Sequence, residues 1–295
     1  MWLGNPWSDL HGGFGLMLKA HWPVVFEELM GGREREGGVR PYVLSHDLAE
    51  PAIAAGRSFR VGLTLFGASA RLWAAGCDAI ARLGNNGVTP QRQHFSVENI
   101  AAQCALAEPQ LGLMWCDNEW LVEHPPSIAL TPRGIDNPTG PGQLQLGFTS
   151  PLQIKLDNVL ADTRPHLSAL VDRALARLSI LAHYAGRETP VSREQRSAIV
   201  EALQNAQCLR DDTALRRWDR FSRRQGQSIP IPGIVGQQVW QLDADAAKSL
   251  LPWLPSIALI HVGSKTSQGF GAVHAHFTRA SLDQPVRHNI AEKTV

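Results

Sequence analysis

The sequence predicts an α+β protein built as two domains, and three observations carry that expectation. Each half of the 295-residue chain mixes strand-like alternations with two helical stretches. A run rich in proline and glycine, Asn137-Pro138-Thr139-Gly140-Pro141-Gly142, separates the halves. The length suits two compact units, each able to bury its own core. The expected boundaries are residues 1–136 for the first domain, 137–143 for the linker and 144–295 for the second.

In the first half, Leu10 to about Met30 reads as a helix interrupted at Pro23, and Gly31 to Gly38 as a charged loop. Tyr42–Leu48 and Ser58–Phe66 read as strands, the second alternating through Phe59, Val61, Leu63 and Leu65. Ser69–Leu83 is helical, with Leu72, Cys77, Ile80 and Leu83 as its apolar residues, and stops at Gly84-Asn85-Asn86-Gly87. Short strands are expected around Phe95–Ile100 and Leu111–Trp115. In the second half Leu144, Leu146 and Phe148 alternate as a strand that resumes past Pro151. Pro165–Tyr184 places Leu167, Leu170, Val171, Leu175, Leu178 and Leu181 on one helical face, and a second helix spans about Arg193–Leu203. Ile229–Leu242 and Ile257–Phe277 read as the closing strands.

Composition removes several classes of function. The net charge is +1, so any nucleic-acid contact must come from local charge clustering. Cys77, Cys104, Cys116 and Cys208 show no C-x-x-C spacing and read as reduced thiols of a cytoplasmic protein. The N-terminus lacks the basic start and apolar run of a secretion signal. The longest apolar stretch, Leu250–Val262, is broken by Pro252 and Pro255, so no membrane span is expected. Gly263-Ser264-Lys265-Thr266 is no P-loop either. Ser264 separates glycine from lysine, the upstream glycine is missing, and strand-like residues follow where a helix is required.

Two segments carry chemistry. The run Gly263, Ser264, Lys265, Thr266, Ser267, Gln268, Gly269, Phe270, Gly271 lies between two apolar runs and is expected to be a hairpin tip. Its backbone N–H groups and Lys265 would then face an oxyanion such as phosphate. The plain alternative is a hairpin whose glycines only permit positive φ. The second segment is 209–224. Asp211, Asp212 and Thr213 read as N-cap residues of a short helix. At helical spacing Arg216, Arg217, Arg220, Arg223 and Arg224 share one arc, opposite Leu215, Trp218 and Phe221. Arginine without lysine suits bidentate phosphate contact and stacking on bases. The alternative is a solvated helix face, although Asp219 is the single acid among the five arginines.

Taken together and in this order, these residues resemble the CRISPR-associated endoribonucleases of the repeat-associated (RAMP) superfamily, which cut precursor CRISPR RNA within its repeats. The similarity lies in His261-Val262-Gly263 through Gly269-Phe270-Gly271-Ala272-Val273, in Ser222-Arg223-Arg224-Gln225-Gly226 running to Pro232-Gly233-Ile234-Val235-Gly236, and in Leu146-Gly147-Phe148-Thr149-Ser150-Pro151-Leu152. Arg40-Pro41-Tyr42-Val43-Leu44-Ser45, Leu65-Phe66-Gly67 and Leu10-His11-Gly12-Gly13-Phe14-Gly15 resemble parts of the family's first domain. The resemblance implies two tandem ferredoxin-like (RRM-like) domains, an RNA surface across their cleft, and the glycine loop beside the scissile phosphate. One departure is that no leading strand is evident before the first helix.

Such a family member cleaves without metal or cofactor, deprotonating the 2′-OH, stabilising the phosphorane and protonating the 5′-oxygen. Histidine suits the proton transfers, and cations or N–H groups suit the charge. The catalytic candidates are His11, His21 and His46, each of which could instead be an ordinary cap, surface or strand-end residue. Arg33, Arg35 and Arg40 stand next in line. His261 reads as a packed strand residue. The expected partners are CRISPR repeat or guide RNA and other CRISPR effector subunits, with no membrane. Two competing readings share these features: a RAMP subunit that holds guide RNA without cutting it, and a small anion- or phosphate-ligand-binding α+β protein.

Overall fold

The computed structural model describes residues 6–31, 39–47, 56–88, 92–103, 111–116, 119–121, 124–130, 132, 140–156, 159–222 and 227–280. In the C-terminal half, strand β6 (Gly142–Leu152) leads to helix α4 (Leu167–Tyr184) and α5 (Arg193–Ala202). Strands β9 (Gln207–Asp211), β10 (Ala214–Ser222) and β11 (Gln227–Leu242) follow, then α6 (Ala244–Leu250), α7 (Leu254–Ile260) and β12 (Val273–Arg279). The sheet order β10-β11-β6-β12 is antiparallel throughout, with β9 adding to β11. That βαββαβ order is ferredoxin-like. A two-stranded hairpin, β7 (Lys155–Leu156) and β8 (Val159–Leu160), leaves the end of β6.

One-sided burial explains these elements. In β6, Leu144, Leu146 and Phe148 are buried while Gln143 and Gln145 face out. Helix α4 buries Leu167, Leu170, Val171, Ala174, Leu175, Leu178 and Leu181 over them. Each fully buried leucine contributes roughly 1.5–3 kcal/mol, whereas a side-chain cap contributes about 1 kcal/mol. Packing therefore fixes α4, and the Ser192–Gln195 capping box only sets where α5 begins.

The N-terminal half has α1 (Pro6–His21), α2 (Pro23–Phe26) running into a π-turn (Glu27–Gly31), and the hairpin β1 (Tyr42–His46) with β2 (Val61–Leu65). A 3₁₀ turn (Gly67–Leu72) enters α3 (Trp73–Asn86). A separate antiparallel sheet holds β3 (Asn99–Gln103), β4 (Leu111–Cys116) and β5 (Glu119–Trp120). Helices α1 and α3 pack against the β1–β2 hairpin around Leu10, Phe14, Leu18, Leu44 and Leu83, giving a second ferredoxin-like unit. Among the described residues no strand precedes α1. Strand β1 serves both cores: Tyr42 and Leu44 point into the N-terminal core, while Val43 packs in the C-terminal one beside Phe66. This shared strand locks the two units together.

Three expectations need correction. Residues 209–222 are strands, not a helix. The Asp211 carboxylate accepts from the Thr213 amide (3.2 Å) and hydroxyl (2.6 Å), so the expected cap residues instead build the turn joining β9 to β10. The long β11 offers a ladder to β10 from Ala214↔Val235 to Ser222↔Gln227, and that pairing overrides the local helical spacing. Second, the apolar run before the glycine loop is helix α7. Pro252 and Pro255 stand in the first turns of a 3₁₀ turn and of α7, where a missing N–H costs nothing, and Ile257 and Ile260 are buried one turn apart. Third, helix α6, capped by Asp243 (2.8 Å to the Ala246 amide), occupies a stretch with no expected element. The expected linker overlaps β6, which starts at Gly142; Asn137–Thr139 lie outside the described residues.

Candidate active site between the two units

Helix α1 carries Trp7 and His11 one turn apart, so both sit on the same side of the helix. His11 meets the end of β1. Its Nε2 lies 2.8 Å from the Tyr42 hydroxyl and 3.0 Å from an Arg40 guanidinium nitrogen, and its ring stacks on Tyr42 (interplanar angle 11°). Arg40 also reaches the Tyr42 oxygen at 3.4 Å. A guanidinium can only donate. Nε2 is therefore an acceptor here, which places the neutral ring's proton on Nδ1; the tautomer is inferred from the partners. Burial pushes the Tyr42 phenol up to about 12, outweighing the opposing effects of Arg40 and of a hydrogen bond with Ser267. Tyr42 thus keeps its proton at neutral pH and acts as a donor.

Ser267 brings the C-terminal unit into this cluster. Its loop follows α7 through His261, whose φ of 59° and buried ring bonded to the Phe270 carbonyl (3.1 Å) start the turn. Five of the loop's amides turn back onto the protein. Ser264 donates to Gln153 O (2.7 Å), Gln268 to Lys265 O (2.8 Å), Gly269 to Thr266 O (2.9 Å), Phe270 to Lys265 O (3.4 Å) and Gly271 to Pro151 O (3.0 Å). Those amides hold the loop's shape, correcting the hairpin-tip reading. Its glycines answer to protein: a Cβ at Gly269 would lie 2.5 Å from the Leu44 carbonyl of β1, and one at Gly271 would collide with the Val262 carbonyl. Thr266 and Ser267 are buried, whereas Lys265 is exposed, with its ammonium 5.8 Å from the Phe270 ring centre. The loop docks one unit on the other and aims Ser267 at Tyr42.

The other candidates separate. His21 is exposed at the far end of α1, about 15 Å of helix from His11. His46 ends β1 and packs on Trp7 with ring centres 5.1 Å apart. Arg33, Arg35, Arg223 and Arg224 lie outside the described residues. In β10, successive positions face opposite sides of the strand, so Arg216 and Arg217 part and the expected single cationic arc is divided. Arg216 and Arg217 are both exposed. Trp218, between Arg216 and Arg220, packs with Trp7, Ile231 and Phe270, which directs the Arg216 side of the hairpin toward α1 and the loop. Tyr42 was not among the sequence candidates, although its signal was present: it is one of only two tyrosines, two residues past Arg40 in an apolar strand. A cleft of about 3410 Å³ opens beside this junction, lined by His46, Arg57, Arg60, Arg187, His261 and His274 among others. Among the described residues no three His, Cys, Asp or Glu side chains come together as a metal-binding group, and no helix is long and apolar enough to cross a membrane.

The junction also sets a pH response. Burial lowers the pKa of both His46 and His261 to about 4, outweighing the opposing effects of the Asp47 carboxylate on His46 and of the Phe270 carbonyl on His261. Unfolded histidine titrates near 6.5. The unfolded chain therefore binds more protons between about pH 6.5 and 4, and stability falls as pH drops through that window. Melting temperatures measured from pH 7.5 to 4.5 should decline below about 6.5, and His46→Gln should flatten the decline. An unchanged slope in that variant would remove His46 from this role.

Fold and site define a tandem ferredoxin-like protein with a His–Tyr–Arg cluster closed by a loop from the second unit. Residues 146–273 match the family model described as CRISPR-associated endoribonuclease Cas6, and residues 17–125 match a model described as an N-terminal domain. The match to the Cas6 endoribonuclease model thus lies in the C-terminal unit, from β6 to the start of β12. The solved structure "Cas6 (TTHB231) product complex" is similar at 15% identity and TM-score 0.59, over 93% of this chain and 96% of that one. "Thermus thermophilus Cas6 (TTHB231)" follows at 14% identity and TM-score 0.51, over 93% and 95%. "Cas6 (TTHA0078) product complex" is similar at 19% identity and TM-score 0.51, over 93% and 94%. No curated protein sequence matches the chain.

Proposed function

We propose that this chain binds CRISPR repeat RNA and cleaves it by metal-independent transesterification at the His11–Tyr42–Arg40 cluster, yielding guide RNA. The observation that carries the reading is the convergence of two donors on one imidazole nitrogen, beside a loop of the second unit. His11 Nε2 takes the proton of the 2′-OH as that oxygen bonds to phosphorus. Arg40 turns to the phosphate and offsets the charge that develops there. The P–O5′ bond breaks and the 5′-oxygen takes the Tyr42 proton, which the His11 imidazolium then restores. Arg216, Arg217 and Arg220 on the β10–β11 hairpin, with Lys265 at the loop, supply backbone contacts for the repeat.

The set comprises imidazole, phenol, guanidinium and hydroxyl groups, which serve acid–base chemistry and charge stabilisation. It suits a cutting enzyme better than a subunit that only holds guide RNA, because a mere grip needs no buried tyrosine poised on a histidine. The test is incubation of a repeat RNA from the same genome in excess EDTA. One discrete cut is expected. Cleavage that appears only when magnesium is added would overturn the mechanism, and tight binding without a cut would favour the non-cleaving subunit.

A further inference from the structure

Trp7 has no part in the chemistry above, yet it touches every element that builds the site. It is 6% exposed in the first turn of α1. Its ring centre lies 5.1 Å from His46 of β1, 5.5 Å from Trp218 of the arginine hairpin and 5.9 Å from Phe270 of the glycine loop, the last two edge to face. Gly269 leaves room for it: a Cβ there would come 3.3 Å from Trp7 Cδ1. These partners come from the N-terminal hairpin, the C-terminal hairpin and the loop. Trp7, Trp218, Phe270 and Ile231 form a hydrophobic cluster separate from both main cores.

We propose that Trp7 is the positioning residue for cleavage, setting His11 against Tyr42 and Arg40 and tying that placement to the RNA-gripping hairpin. The inference rests on the reading of His11 as the cleaving group. The physical basis is leverage along one rigid turn. His11 follows Trp7 by four residues on the same helix side, so any shift of the α1 start relative to the loop moves the imidazole directly. Displacing a reacting group by about 1 Å can cost on the order of a hundredfold in rate. Arg216 lies two positions before Trp218 on the same side of β10, so a phosphate seated there bears on the strand that holds Trp7. Edge-to-face aromatic contacts of this kind are directional and add to burial, so they favour one placement of a short helical turn.

The test is a double-mutant cycle read by single-turnover cleavage of repeat RNA, with affinity measured separately. Trp7→Ala is expected to slow cleavage at least tenfold with affinity changed less than about threefold, and Trp7→Phe to recover most of the rate. In a His11→Ala background, Trp7→Ala should slow the residual reaction no further, because it acts through the group already removed. Trp218→Ala, which removes the contact from the hairpin side, should show the same pattern and decides the matter if Trp7→Ala does not fold. An equal loss in both backgrounds, or a wild-type rate for Trp7→Ala, would overturn the proposal. A wild-type rate for His11→Ala alone would instead overturn the site assignment on which it rests.

Discussion

His11→Ala is expected to slow single-turnover cleavage of repeat RNA on the order of a hundredfold, as for loss of a general base, with RNA affinity nearly unchanged. The same assay should find His21→Ala at the wild-type rate. The contrast follows from geometry: both histidines lie on α1, but His11 meets Tyr42 and Arg40, whereas His21 is exposed at the other end of the helix, near Asp78. His46→Ala should behave differently from either, because its ring packs on Trp7 within the junction; its cost should appear as a lower melting temperature. Tyr42→Phe separates the proton on the phenol from its packing. It keeps the ring that stacks on His11 and loses the hydroxyl, so it should cut slowly while melting close to wild type. A wild-type rate for His11→Ala would remove the proposed base and leave Tyr42 and Arg40 as the groups of the cluster to test.

Gly269→Val is expected to reduce cleavage more than tenfold and lower the melting temperature by several degrees. The glycine has φ +89°, in the left-handed region, where an L residue costs about 1–3 kcal/mol. The added side chain must also displace the Leu44 carbonyl of β1 or the Trp7 ring, and overpacking of this kind adds typically 1–3 kcal/mol. Both neighbours belong to the N-terminal unit, so the damage falls on the seam that presents Ser267 to Tyr42. Arg216 and Arg217 are exposed and are not among the nearest neighbours of a Cβ at Gly269, so RNA affinity should change far less than rate. Thermal unfolding and single-turnover assays on one protein preparation check both parts. A variant that melts and cuts like wild type would show that the loop is not seated on β1 in solution.

What the sequence revealed depended on how one-sided each segment's burial is. Strand β6 was legible because Leu144, Leu146 and Phe148 alternate with outward glutamines, and α4 because its apolar residues recur at three and four. Helix α7 was not, since Ile257-Ala258-Leu259-Ile260 is apolar at every position and carries no period to distinguish helix from strand. In 209–222, apolar residues every third position behind two aspartates fit a helix as well as a hairpin; only β11, distant in sequence, decides between them. His11 and Arg40 were both named as candidates, but their junction through Tyr42 was hidden. The His11–Tyr42 contact spans 31 residues, and Ser267 arrives from the other unit. The loop's shape was hidden for a related reason: glycines that look open in one dimension stand against the Leu44 and Val262 carbonyls in three.

In the proposed reaction a 2′-hydroxyl of the RNA is the nucleophile, activated by protein groups at the junction of the two units. Chemical analysis of the ends produced by a single cut tests it most directly. The expected products are a 2′,3′-cyclic phosphate, or the phosphate it opens to, on the upstream fragment and a 5′-OH on the downstream one, with no cut when the scissile nucleotide is 2′-deoxy. A 3′-OH with a 5′-phosphate, or full cleavage of the deoxy substrate, would mean that water attacks instead and that His11, Tyr42 and Arg40 do not perform this reaction.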